Sequence, residues 1–276
     1  MINLYLIPTP IGNLDDMTYR SVEVLKTCDI IFSEDTRNTK VLLSYYDIKT
    51  PLKSYHLFNE EERSEEIVGL LKEGKIIAIC TDAGYPGISD PGYLVCKKAI
   101  ESGFVVSTLP GATASLTALV TSGIPCDKFY FYGFLAHTRS QKEIELKSMV
   151  DRKETMVFYE SPHRILETLE VIDEVFGERQ ICIARELTKK YEEYIRGTAR
   201  SILEQSFETK GEMVLILEGA KQNSITLSLN SLSIEEHFHY YLEKDNDKKE
   251  AMKKVAKDRE MSKSDVYKHL LQKGII

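Results

Sequence analysis

Short apolar runs alternate with amphipathic stretches along most of the chain. Residues 4–8, 29–33, 76–80 and 105–109 are compact apolar runs of the length and type expected for buried strands. Between and after them, residues 21–27, 39–46, 61–73, 93–102 and 114–121 carry apolar positions at helical intervals. In the third stretch Ile67, Leu70 and Leu71 share a face. Gly103 and Gly123 follow two of these stretches, where a helix is expected to stop. Alternation of this kind predicts an α/β unit built on a mostly parallel sheet covered on both faces.

A second α/β unit is expected from about residue 124. Its predicted strands are 129–134, 154–159, 180–185 and 213–218, and its predicted helices 141–150, 164–175 and 201–207. Residues 222–233, rich in Ser and Asn, are expected to be a linker. Helices follow at 235–244 and 248–258, and a last one runs to Leu271 behind a serine cap at 262–264. The expected domains are therefore 1–123, 124–220 and a small helical one at 234–276. No internal repeat interrupts this order.

Composition narrows the class. The chain has 276 residues, 42% hydrophobic and 29% charged, as in a soluble globular protein. No apolar run approaches the roughly 20 residues of a membrane helix. The first residues lack the basic lead and small-residue cleavage site of a signal peptide. Five scattered cysteines without a CxxC pair argue against a disulfide framework and structural zinc, and for a reducing cytoplasm. The net charge of −7 does not advertise nucleic-acid binding, yet residues 221–276 carry eleven Lys or Arg against nine Asp or Glu.

Candidate chemistry sits just past the predicted strands. Thr81 to Gly92 holds three glycines, two prolines and two aspartates, far more than a connecting turn needs. Loops at the carboxyl ends of strands are where α/β proteins bind ligands. Pro8-Thr9-Pro10-Ile11-Gly12-Asn13 follows the first strand but is neither a G-x-G-x-x-G nor a P-loop. Ser33-Glu34-Asp35-Thr36-Arg37 suits a helix cap and substrate handling about equally. Leu109 to Ser115 joins strand to helix through small residues, from tight packing or from ligand contact. Tyr159 to Arg164 and Ala184 to Lys189 put further charged groups at strand ends.

Taken in order, the first four of these loops and Tyr159-Glu160-Ser161-Pro162-His163-Arg164 resemble the tetrapyrrole methylase superfamily. Within it they are most similar to the branch of ribosomal small-subunit methyltransferases, over about residues 1–220. The resemblance implies two α/β domains with S-adenosyl-L-methionine folded between them, a small helical extension and a homodimer. It also implies methylation of a cytidine ribose 2′-oxygen in small-subunit ribosomal RNA. Carried onto this chain, cofactor contacts are Pro10, Asp82, Ala83, Gly84, Tyr85, Ile88, Gly111, Ala112, Thr113 and Ala114, with Tyr159, Ala184 and Met213 from the second domain. Superfamily members acting on tetrapyrrole carbons have a glycine-rich first loop ending in an acid. Thr9 to Asn13 has no acid, which argues against that substrate.

A sulfonium donor carries its own activated methyl group, so the reaction needs no metal. The protein must align an alcohol and take its proton. Glu34, Asp35 and Glu160 lead the candidate bases, ahead of Asp82, His163 and Glu186. Arg37, Arg164 and Lys189 are candidate phosphate contacts, with His163 and Glu186 also on the substrate side. His137, Arg139, Lys142, Tyr191 and Arg196, and the C-terminal lysines 248, 249, 253, 254 and 257, are further candidates for RNA contact. Two alternatives stand beside the RNA methyltransferase: a tetrapyrrole C-methyltransferase, and a non-catalytic RNA-binding assembly factor with a relic pocket.

Overall fold

A computed structural model describes residues 2–221 and 229–276. The first unit contains β1 (Leu4–Ile7), α1 (Tyr19–Thr27), β2 (Ile30–Ser33), α2 (Thr36–Tyr45), β3 (Leu52–Ser54), α3 (Glu60–Lys72), β4 (Ile77–Cys80), α4 (Tyr93–Glu101), β5 (Val106–Thr108) and α5 (Ala114–Thr121). Its sheet has the order β3-β2-β4-β1-β5, with every pairing parallel. Ile7, Ile31, Ala78 and Cys80 face Val22, Leu25 and Leu43 on one side. Phe32, Ile77 and Ile79 face Ile67, Leu71, Val95 and Ala99 on the other. Sides of opposite facing on adjacent residues follow from the two-residue strand period. Burying each Val, Leu, Ile or Phe among them is worth roughly 1.5–3 kcal/mol.

The second unit contains β6 (Phe129–Phe134), α6 (Arg139–Ser148), β7 (Thr155–Glu160), α7 (Ile165–Phe176), β8 (Gln180–Arg185), β9 (Glu193–Thr198), α8 (Ala199–Leu203) and β10 (Met213–Leu217). Its order is β6-β7-β10-β8-β9, with β6 parallel to β7 and the other pairs antiparallel. Leu146, Leu169, Ile172 and Ile202 cover one face. The other face, with Val157, Cys182, Ala184, Val214 and Ile216, is covered by Ala118 and Leu119 of α5 and by Ile11. A helix that follows the first sheet in sequence thus packs on the second. Arg196 of β9 locks it there, donating to the carbonyls of Ser122 (2.9 Å) and Thr121 (2.6 Å).

Two strands are absent from the sequence expectation. β3 is three residues long, and β9 mixes Glu, Tyr, Arg and Gly at a sheet edge, so neither shows an apolar run. Helix α8 starts two residues early because Thr198 caps it, accepting from the Ser201 N–H at 3.2 Å. Part of the expected linker, residues 222–228, lies outside the described residues.

Helices α9 (Ile234–Asp245), α10 (Lys248–Asp258) and α11 (Lys263–Gln272) form a separate cluster around Phe238, Val255, Val266 and Leu270. Buried His237 sits between Asp258 (3.3 Å) and the Arg259 Nε (3.1 Å). No helix among the described residues is long and apolar enough to cross a membrane.

Candidate active site

The carboxyl ends of β1, β2 and β4 deliver three loops to one edge of the first sheet. Two of them are zipped together: the Thr9 and Gly84 backbones exchange hydrogen bonds of 2.9 and 3.0 Å, and the Thr9 hydroxyl donates to the Thr81 carbonyl at 3.0 Å. The Asp82–Gly92 loop then doubles back on itself. A β-carbon at Gly92 would meet the Gly87 nitrogen at 2.8 Å, and Gly87 itself has φ +86°, a backbone that favours glycine. The Gly111 N–H donates to the Tyr85 hydroxyl at 2.9 Å, and a β-carbon at Gly111 would meet Pro8 Cγ at 2.5 Å. Glycine is therefore needed where the β5–α5 loop crosses the β1 end.

These loops face the edge of the second sheet across a cavity of about 520 Å³, within the range of ligand pockets. Asp82, Ala83, Gly84, Tyr85, Ile88, Thr113 and Ala114 line it from the first unit, Tyr159 and Met213 from the second. Gly111 and Ala112 stand behind that wall. Ala184 is fully buried in the core beside Val214 and does not reach the cavity. Pro10 borders a smaller adjoining cavity instead. Ile11, Ser89, Asp90, Phe134, Leu187, Gly211, Glu212 and Val214 also line the large cavity and are missing from the sequence-based set. Asp90 was legible as the second acid of the conspicuous loop. Gly211 and Glu212 carried no signal, since only the antiparallel entry of β10 brings them to this edge.

The three candidate bases part ways. Asp35 caps α2, accepting from the Arg37 N–H at 2.8 Å, and pairs with the Arg37 guanidinium at 2.6 Å. These hydrogen bonds hold its carboxyl down to about 2, far too acidic for a base. Glu160 has a buried side chain and its oxygens are taken by donors. Oε1 accepts from the Ser161 N–H at 2.7 Å and from Arg164 at 2.8 and 2.7 Å, and Oε2 accepts from the Thr168 hydroxyl at 2.6 Å. Glu160 is a structural anchor on the cavity wall. Glu34 is the one whose carboxyl is raised, by partial burial first and then by the Asp90 and Asp82 charges. Asp90 is raised as well, by burial, against the hydrogen bond it accepts from the Thr81 hydroxyl at 2.6 Å. That hydroxyl also lies 3.4 Å from Glu34, so Thr81 bridges the two acids. Of the pair, Asp90 borders the cavity and Glu34 stands behind it.

Several cations expected to contact phosphate or RNA are engaged within the protein. Arg164 spends its guanidinium on Glu160, the Leu135 carbonyl (3.2 Å) and His137 (3.1 Å), so it builds the wall rather than holding a phosphate. Lys142 is fully buried, donating to Glu167 (2.7 Å) and Thr168 (2.9 Å). Arg139 pairs with Glu170 and Glu174. Lys189 joins Glu186 (2.9 Å) to Glu212 (2.7 Å), a bond that holds the Glu186 carboxyl below its ordinary range. Arg37, His163 and Tyr191 are exposed.

Two α/β layers with strand-end loops meeting over one cavity define a two-lobed, ligand-cleft class of enzyme fold. Residues 3–203 match the Tetrapyrrole (Corrin/Porphyrin) Methylases family, and the chain belongs to it. Solved relatives share the fold. Uroporphyrin-III-C-methyltransferase from Thermus thermophilus superposes with a TM-score of 0.57 at 17% identity, covering 79% of this chain and 94% of that one. Diphthine synthase gives 0.61 at 11% identity, covering 79% and 90%. In sequence the chain is 47% identical to the ribosomal RNA small subunit methyltransferase I of Bacillus subtilis, over 96% of this chain and 92% of that protein. Its counterpart of the same name from Halalkalibacterium halodurans is 44% identical, over 96% and 93%.

Proposed function

We propose that this chain uses S-adenosyl-L-methionine to methylate the ribose 2′-oxygen of a cytidine in small-subunit ribosomal RNA. The observation that carries the reading is the cleft itself: strand-end loops from both sheets meet over one cavity, in a chain nearly half identical to rRNA methyltransferases along almost its whole length. The first loop lacks the acid expected for tetrapyrrole work, which supports RNA over a macrocycle. A homodimer acting in the cytoplasm belongs to the same reading.

The cavity suits this cofactor in size and lining. Ile11, Ile88, Leu187 and Met213 offer apolar walls, and Asp82 and Thr113 offer polar edges for a nucleoside. In this reading Asp82 to Ile88, Thr113, Ala114, Tyr159 and Met213 hold it, with Gly111 and Ala112 shaping the loop behind. When held there, the sulfonium would supply an activated methyl group to the ribose oxygen and would itself be left as a neutral thioether. The hydroxyl proton goes to the Asp90–Glu34 pair, whose raised carboxyls hold protons better than ordinary ones. Thr81 orients that pair.

The test supplies labelled S-adenosyl-L-methionine with either unmethylated small ribosomal subunits or a tetrapyrrole precursor. Label is expected in RNA as a 2′-O-methylcytidine. Label in the tetrapyrrole, or none in subunits at any assembly stage, overturns the proposal.

A further inference from the structure

A second cavity of about 250 Å³ adjoins the first and shares Ile11, Asp82, Ala83 and Glu212 with it. Apart from Asp82 and Thr81 on its rim, none of the chemistry above uses it. We propose that it receives the base of the target cytidine, extruded from the RNA, an inference that rests on the methyltransferase reading. RNA is read in sequence through single-stranded segments whose bases are splayed out of the stack and held against protein, and enzymes that act on a base extrude it into a pocket. Here the pocket shares a wall with the cavity assigned to the methyl donor, which sets the attached ribose beside the transferable group. At this volume it has room for a single pyrimidine and not for a macrocycle.

The walls suit a flat ring with a polar edge. Pro10 and Leu14 from the first loop and Val41 from α2 provide apolar surface for the ring faces, and Val41 is 65% exposed. Asn38 and Asp82 form the polar edge. The Asn38 amide nitrogen donates to Asp82 Oδ2 at 2.9 Å, which turns the amide so that its oxygen serves as an acceptor. The Asp82 carboxylate retains lone pairs beyond the bonds from Asn38 and from the Asp35 N–H (3.3 Å). The Lys189 ammonium on the same wall is spent on Glu186 and Glu212, so the acceptors of Asn38 and Asp82 form the edge that selects an exocyclic amino group, which cytosine has and uracil replaces with a carbonyl. One residue before Asn38, Arg37 is 88% exposed, and its bond to Asp35 uses Nε and Nη2. Nη1 is left for the phosphate that follows an extruded base.

Val41→Trp should fill this cavity from an exposed helix position without touching the larger one, and Asn38→Ala should remove the amide. Both are assayed for methyl transfer to unmethylated small subunits and for S-adenosyl-L-methionine affinity by calorimetry. The expected result is a fall in kcat/KM for subunits of about tenfold or more in each variant, with cofactor affinity within about twofold of wild type for Val41→Trp; Asn38→Ala also frees Asp82 and is read for its kcat/KM with subunits. Free cytidine at millimolar concentration should inhibit the wild-type protein more than uridine does. Wild-type kcat/KM in both variants, or equal inhibition by the two nucleosides, overturns the inference while leaving the methyltransferase reading intact. A wild-type protein that labels no RNA overturns that reading first. Because cofactor affinity also reports folding, a variant that misfolds is recognised and the other decides.

Discussion

Thr81 stands between two carboxyls, Glu34 and Asp90, both raised above their ordinary range, first by burial and then by neighbouring charge, that of Asp90 and Asp82 on Glu34 and that of Asp82 on Asp90. An acid whose folded-state value is raised adds stability below its unfolded value and loses it as pH rises through the folded one. At neutral pH the pair therefore costs stability. Glu34→Gln is expected to melt a few degrees higher than wild type at pH 7, with the gap closing as pH falls towards 4, by calorimetry. Methyl transfer should rise with pH through the same raised range, because the proton acceptor must first be ionised. Asp82 tests the cofactor wall: Asp82→Ala should weaken S-adenosyl-L-methionine binding by about tenfold, the loss of one bond to a charged group. Unchanged affinity would move the cofactor elsewhere. At this scale the sequence shows which acids and cations exist, and it cannot show their partners. Asp35 and Glu160 look like Glu34 in the chain, and only Arg37 and Arg164 beside them remove them from the chemistry.

Between elements, a buried polar chain ties α6 and α7 to the end of β7. Lys142 donates to Thr168, Thr168 donates to Glu160, and Glu160 fixes Ser161 and Arg164 on the cavity wall. Lys142 lines neither cavity, yet its loss leaves Glu167 without its ion-pair partner and Thr168 without the bond it accepts. Lys142→Met is expected to destabilise the fold by about 2–3 kcal/mol in chemical denaturation, less than for a wholly buried pair because Glu167 is partly exposed. A value near zero would mean that the network relaxes without it. The sequence predicts α6 correctly in kind, and the polar appearance of Lys142 hides its burial, because the covering partner comes from another helix. β3 and β9 went unseen for the same reason. Edge strands with mixed side chains owe their form to the neighbour they pair with.

Across the whole molecule, the two sheets are joined by α5, by Ile11 and by the Arg196 bonds to the end of that helix. The C-terminal helices have their own core and stand apart in packing. A chain ended at Ala220 is expected to bind S-adenosyl-L-methionine within about twofold of the full protein, since no cavity residue lies beyond Val214. A larger loss by calorimetry would show that the last helices brace the cleft. The chain by itself determined the α/β class, the order of most elements and the loops that carry chemistry. Periodicity, glycine and proline act locally, and local signals survive in one dimension. The tertiary structure alone decided that α5 covers the second sheet, that β10 runs antiparallel and brings Glu212 to the cleft, and that Glu34 and Asp90 are the acids with raised carboxyls. Those outcomes depend on groups far apart in sequence, whose burial and charge act only once the chain has folded around them.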